Sequence, residues 1–173
     1  IETSGISATT LTDEIKSLTE ELDQNRQAHE NTMKSIQDTY ESQLVEAEYA
    51  EKLSQQLIGL VDSNGKVKDG NEERVKFILG ELSSALGEEY KLNGNIITKN
   101  GEVVNSYESL EKSITDTIEA KKKEAEQTAI TEKYKETIKE QIQLERDKAK
   151  AQEKFAKAEI EYNNLMAKSI DPW

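Results

Sequence analysis

The chain has 173 residues, of which 34% are hydrophobic and 34% are charged, and its formal net charge is −12 at pH 7. So few apolar residues exclude a large globular core, and the negative charge argues against a nucleic-acid ligand because the chain would repel phosphates. The absence of Cys excludes disulfides and thiolate metal sites.

Residues 1–61 are predicted to form a first coiled-coil helix, because Pro is absent and apolar residues recur at helical spacing. The expected seam, meaning the positions that face a partner helix, consists of Leu11, Ile15, Leu18, Leu22, Ile36, Tyr40 and Leu44. His29 falls at a polar interruption of this seam. Since no second His and no Cys accompany it, we interpret it as a residue that fixes pairing register rather than as a metal ligand.

Residues 62–105 hold most of the Gly and turn residues and predict a compact elbow. It should contain a loop, a short helix over 71–86 capped by Asp69, and a β-hairpin over 90–97 that turns at Asn93-Gly94. A second Asn-Gly pair, Asn100-Gly101, allows a third short strand at Val103 and Val104. The expected elbow core is Leu57, Leu60, Val61, Val75, Ile78, Leu79, Leu82, Leu86, Leu92, Ile96 and Tyr107.

Residues 106–173 predict a second coiled-coil helix, capped at its start by Asn105. Its expected seam is Leu110, Ile114, Ile118, Ile138 and Ile142. Helices of this length need a partner in water, and the nearest partner is the first helix. The predicted fold class is therefore mainly α: a long antiparallel helical hairpin, built as a coiled coil, with a small α+β elbow.

The sequence contains few residue patterns that could form a catalytic or metal-binding site. The run from Asp62 resembles a calcium loop at first, but Lys66 and Val67 occupy positions that require an oxygen ligand and a Gly. Neither a phosphate-binding Gly pattern nor a nucleophile elbow occurs. We therefore expect no enzyme activity, no catalytic residue, no cofactor and no metal.

The longest apolar run, residues 57–61, is far shorter than the ~20 residues that span a bilayer, so no stable membrane anchor is expected. The chain begins with Ile1 rather than Met, and we interpret it as a piece of a longer polypeptide.

The elbow also carries a family resemblance. The runs LIGLVDSNGKVKDG over 57–70, ERVKFIL over 73–79, LSSALG over 82–87 and YKLNGNII over 90–97 resemble a segment of the tail tape measure proteins of siphophages and prophages of Gram-positive bacteria. Tyr107 and the basic run 121–123 extend the resemblance, whereas residues 99–104 look like an insertion. It covers about residues 50–136, and the flanking helices are generic.

This resemblance implies a structural role as a helical ruler and scaffold in tail assembly. The implied partners are other copies of the chain, the tail tube, tail-tip proteins and assembly chaperones. The implied location is the lumen of the virion tail, and the host cytoplasm during assembly. One alternative stays open: a coiled-coil interaction or signalling module of a bacterial surface or sensor protein. A fragment of a cell-wall enzyme is disfavoured because such an enzyme needs a cleft and catalytic groups.

Overall fold

A computed structural model describes residues 2–170 and the side chains of residues 12–169. Helix α1 spans Glu2–Ile58, α2 spans Glu72–Leu86 and α3 spans Tyr107–Ile170; the strands are β1 (Tyr90–Asn93), β2 (Ile96–Lys99) and β3 (Glu102–Val103). The mainly helical class with a small sheet is confirmed. The chain forms two compact units, which we call the helical unit (residues 1–35 and 132–173) and the elbow unit (residues 36–131).

The elbow unit is organised around one apolar core. The core takes residues from the end of α1, from the loop after it, from one face of α2, from β1 and β2, and from the start of α3. Its most deeply buried large side chains are Leu57, Val75, Ile78, Leu79, Leu82, Ile97, Leu110 and Ile114. Five elements therefore bury apolar surface in a single cluster, which is the main source of stability for this unit.

Helix α2 exposes one face and buries the other. Its buried residues recur at spacings of three and four, as expected of an amphipathic helix. It ends at Gly87, whose φ of 68° is the left-handed conformation typical of a helix stop. The predicted cap at Asp69 is not the one found: the N-cap is Asn71, and its side chain donates to the Lys68 and Asp69 carbonyls instead of accepting from the helix.

The three strands form an antiparallel sheet in the order β1-β2-β3. Asn93 pairs with Ile96, so the first turn is Gly94-Asn95 and not the predicted Asn93-Gly94. A Gly with positive φ in the first turn position suits a type II′ turn. At the second turn, Asn100 and Gly101 both have positive φ (49° and 85°), the type I′ pattern for which Asn-Gly is preferred. The third strand exists, but it contains Glu102 and Val103 rather than Val104.

In the helical unit, residues of α1 and α3 pair with opposite chain directions. Lys150 donates to Glu21 at 3.3 Å, Asn25 donates to Asp147 at 3.2 Å, and His29 pairs with Glu136. As the residue number rises along α1, it falls along α3, so the two segments run antiparallel. In the elbow unit, Lys122 of α3 pairs with Glu51 of α1 at 3.2 Å. Cross-helix pairs thus occur in each unit.

Candidate functional site

The loop after α1 is fastened to the first turn of α3. The Tyr107 amide donates to the Ser63 carbonyl at 3.1 Å, and a Cβ on Gly65 would lie 3.2 Å from backbone atoms of Ser106. Isolated bridges join Val61 to Val67 and Lys66 to the sheet residue Ile96. The loop is thereby held by backbone contacts to two other parts of the elbow unit, which fixes how the chain turns between α1 and α3.

Asp62 has a structural task inside this loop. One carboxylate oxygen accepts hydrogen bonds from the Asn64 amide at 2.9 Å and from the Lys66 amide at 3.0 Å. This is the arrangement of an Asx turn, in which the side chain replaces a backbone acceptor. The start of α3 has a similar cap, because the Ser106 hydroxyl accepts from the Ser109 amide at 3.0 Å. The cap is therefore Ser106 and not the predicted Asn105.

The structure places most of the predicted elbow core inside the elbow. Seven of these side chains are buried, and Leu60, Leu92 and Tyr107 are partly buried against the same cluster. Ile96 needs correction, since it is only partly buried and Ile97 fills the core instead. The physical reason is the pairing of the strands: Ile97 lies directly opposite Leu92 and shares its inward face, whereas Ile96 lies opposite Asn93 on the other face.

The predicted seam residues lie in both units, and their burial differs from one unit to the other. Leu110, Ile114 and Ile118 are buried in the elbow unit, where Ile36, Tyr40 and Leu44 are partly buried. In the helical unit, Leu18 is partly buried while Ile15 and Leu22 are exposed. The side chain of Leu11 lies outside the described residues.

The predicted seam residues Ile138 and Ile142 need correction, because both side chains are exposed. The positions that pack toward α1 are Glu136, Gln143 and Asp147, of which Glu136 and Asp147 are buried. They continue the three-four spacing of Ala125 and Ala129, two buried residues of α3. The prediction from the sequence followed the large apolar residues and missed these polar ones. Continuing the three-four spacing of Ala125 and Ala129 along α3 would have indicated them.

These polar residues form two sets of contacts. Asp147 accepts hydrogen bonds from the amides of Asn25 (3.2 Å) and Gln143 (3.0 Å), and Glu136 pairs with His29. The side chains of His29 and Glu136 are 17% and 11% exposed. Both buried carboxylates therefore have partners, as buried charges require. His29 lies where a residue that fixes pairing register is expected.

A shallow groove of about 400 Å³ lies beside these contacts in the helical unit. Its lining mixes apolar side chains such as Leu22 and Leu144 with the polar Asn25, Gln143 and Asp147.

Within the described residues, no group of three or more potential ligands is arranged to hold a metal ion. In that same part of the chain, none of the helices has the length and apolar character needed to cross a membrane.

Comparisons with protein-family models, with curated proteins and with solved structures find no match.

A buried polar cluster joins the sheet to α3 in the elbow unit. The Tyr90 hydroxyl is buried and has no hydrogen-bond partner among the described residues. Lys99 lies over its ring at 6.0 Å and donates to the Ser113 hydroxyl at 2.6 Å. Burial raises the pKa of the Tyr90 phenol, while the nearby hydroxyls of Ser113 and Thr117 act in the opposite direction. The cluster holds β2 against α3.

An exposed apolar patch lies on α1 and α2 of the elbow unit and consists of Val45, Tyr49 and Phe77. Val45 and Phe77 are largely exposed, and the Tyr49 hydroxyl donates to Glu81 on α2 at 2.9 Å. This hydrogen bond raises the pKa of the Tyr49 phenol. Large apolar side chains grouped on a surface are typical of contact sites. The patch is thus a candidate surface for a protein partner.

Proposed function

We propose that this chain is a structural segment of a phage tail tape measure protein and acts as a helical ruler and scaffold in tail assembly. The observation that carries the proposal is the architecture: helices of 57 and 64 residues emerge from a fastened elbow. The residues that resemble the tape measure family form the core and turns of that elbow. A specific local fold, and not helix composition alone, therefore supports the assignment.

Helix geometry supports the proposed ruler role. An α-helix rises ~1.5 Å per residue, so α1 and α3 have lengths of about 85 Å and 95 Å. We propose that the two helices form an antiparallel coiled coil, supported by the cross-helix pairs Glu21–Lys150 and Asn25–Asp147. A chain folded back in this way advances a ruler by half of its helical length, whereas an opened chain advances it by all of that length.

A matched deletion in both helices distinguishes a hairpin that stays folded back in the tail from one that opens. Removing residues 12–25 from α1 and 147–160 from α3 takes two heptads from each helix at positions that face each other. If the hairpin persists in the tail, 14 helical residues are lost from the axis and the tail shortens by ~21 Å. If the hairpin opens, 28 residues are lost and it shortens by ~42 Å.

Electron microscopy of tails assembled with the altered protein measures this length. The control replaces the same two segments with unrelated heptads of equal length, and its tails should keep the wild-type length. Tails of unchanged length after the deletion would rule out a ruler role for this segment.

The second candidate function is an interaction or signalling module of a bacterial surface or sensor protein. The patch of Val45, Tyr49 and Phe77 favours it, since a ruler has no need of an exposed apolar surface at its elbow. A pull-down from host lysate tests this function with the wild-type chain and with Phe77→Glu. A cell-envelope or sensor protein that the wild type retains and the variant loses would support it, and recovery of tail proteins alone would reject it.

A further inference from the structure

Three Asn-Gly pairs lie in the elbow unit: Asn64-Gly65, Asn93-Gly94 and Asn100-Gly101. The side-chain amide of an Asn can react with the backbone nitrogen of the next residue, and a Gly, which has no Cβ, obstructs that approach least. In an unfolded chain the three pairs should therefore react at similar rates. In the folded chain they differ in how firmly hydrogen bonds hold the Asn side chain and the Gly amide.

Two of the three pairs are held in place. The Asn100 side chain is bonded at both ends: its oxygen accepts from the Glu89 amide at 2.9 Å, and its nitrogen donates to Glu88 at 2.6 Å. At the first pair, Gly65 is buried and its amide donates to the Asp62 carbonyl at 2.9 Å. Reaction at either pair requires that these hydrogen bonds break first.

The pair Asn93-Gly94 has no such restraint. Both residues are exposed, and a Cβ added to Gly94 would meet nothing within 4 Å. Among the described residues, neither the Asn93 side chain nor the Gly94 amide has a hydrogen-bond partner. A free amide is expected at this point of a two-residue turn, because Asn93 and Ile96 are the residues that pair across it. Both reacting groups are therefore available.

We propose that Asn93 is a modification site that deamidates in the folded chain. The Gly94 nitrogen attacks the side-chain carbonyl carbon of Asn93, and the new C–N bond closes a succinimide ring. The side-chain nitrogen leaves as ammonia and takes the proton that Gly94 loses. Water, the only co-reactant, then opens the ring at either carbonyl and gives aspartate or isoaspartate. The product has one more negative charge, so the net charge changes from −12 to −13.

The modification acts on the elbow through this turn. In the isoaspartyl product the main chain passes through the former side chain and gains one methylene within the pair Asn93–Ile96. The Asn95 carbonyl of the same turn accepts from the Val67 amide at 2.9 Å, so the turn helps to hold the loop after α1. The isoaspartyl product should therefore loosen that loop as well as the hairpin. This chemistry belongs to the elbow alone and is independent of the tape measure proposal.

Incubation of the full chain in mildly alkaline buffer, followed by peptide mass spectrometry, measures the reaction at each pair. In the folded chain, Asn93 should deamidate at least ~10-fold faster than Asn64 or Asn100, the factor that corresponds to about 1.4 kcal/mol of hydrogen bonding. In concentrated urea, the three rates should be similar. The control Asn93→Gln has a side chain longer by one methylene, which disfavours ring closure, and should give no product at position 93.

Hydrogen exchange measures the effect on the loop. In the deamidated fraction, isolated by its added charge, the isoaspartyl population should show a Val67 amide that exchanges ~10-fold faster, as expected for the loss of about one hydrogen bond. The matched control Asn93→Asp carries the same charge on an unaltered main chain and should keep Val67 protected.

Equal rates at Asn93 and Asn100 in the folded chain would overturn the proposal. So would a folded chain in which Asn93 stays intact while the chain in urea reacts. If Val67 is as well protected in the isoaspartyl population as in Asn93→Asp, the turn does not hold the loop, and the proposed effect on the elbow is wrong.

Discussion

The fastening of the elbow loop to α3 predicts a large effect for one added methyl group. Gly65 has a φ of 75°, and a Cβ there would lie 3.2 Å from the carbonyl carbon, the amide nitrogen and the carbonyl oxygen of Ser106. Gly70 supplies the matched control, since its φ is 83° and nothing lies within 4 Å of its added Cβ. Gly65→Ala and Gly70→Ala therefore share the backbone strain and differ in the close approach to α3.

The expected losses of stability follow from the backbone strain at each Gly and from the close approach of Gly65 to Ser106. A left-handed conformation costs a non-Gly residue ~1–2 kcal/mol, so Gly70→Ala should lower the free energy of unfolding by about that amount. Gly65→Ala adds overpacking against rigid backbone, typically ~1–3 kcal/mol, because Ser106 caps α3 and its backbone cannot rotate away. We expect a total loss of about 2–5 kcal/mol for Gly65→Ala.

Urea unfolding followed by circular dichroism measures the loss for each variant. Hydrogen exchange locates it: the Tyr107 amide, which donates to Ser63, should exchange faster in Gly65→Ala and stay protected in Gly70→Ala. If the two variants lose equal stability and the Tyr107 amide is equally protected in both, the loop is not fastened to α3. The reasoning about a fixed elbow would then be refuted.

Three further predictions concern the buried groups. Burial raises the pKa of Tyr90, so the folded state favours the neutral phenol and its stability should decline as the pH rises above ~10. Tyr90→Phe should remove this alkaline decline in urea titrations and, because the hydroxyl has no partner, change the stability at pH 7 by less than ~1 kcal/mol. Replacing His29 or Glu136 alone by Leu should cost ~1–3 kcal/mol, whereas the double variant should be as stable as the wild type; additive losses in this double-mutant cycle would contradict the pairing. Leu57→Ala should cost ~2–5 kcal/mol because the side chain is 0% exposed, while Leu22→Ala, at 41% exposure, should cost less than ~1.5 kcal/mol by thermal unfolding; equal losses would refute the placement of the core.

The sequence predicted the elements of the elbow well because local signals agree with one another there. The spacing of Val75, Ile78, Leu79 and Leu82 indicated a single buried face, and Gly87 indicated the stop. The turn was misplaced by one residue, and Ile96 was chosen although Ile97 is the residue that shares the inward face of Leu92. Asn-Gly pairs are strong turn signals, but they do not by themselves specify which residues occupy the central positions.

The contact face of α3 in the helical unit was not predictable from apolar residues. Ile138 and Ile142 are large and apolar, yet Glu136 and Asp147 take the positions toward α1. A search for large apolar residues fails where polar residues and Ala take the positions toward the partner helix. The spacing of Ala125 and Ala129 indicates those positions, but the partner Asn25 lies 122 residues from Asp147 in sequence and is identified only by the structure.

The two units hold their helices by different physical means. In the elbow unit, apolar burial at Leu57, Leu110 and Ile114 supplies stability but tolerates small shifts, since apolar contacts are not directional. In the helical unit, Asp147 and Glu136 are buried and satisfied by Asn25 and His29. A slip of one helical turn along α3 would leave both carboxylates without these donors, at a cost of several kcal/mol. The polar contacts therefore contribute little net stability and exclude other registers. The proposed ruler role requires that property, because a slipped pairing would change the length.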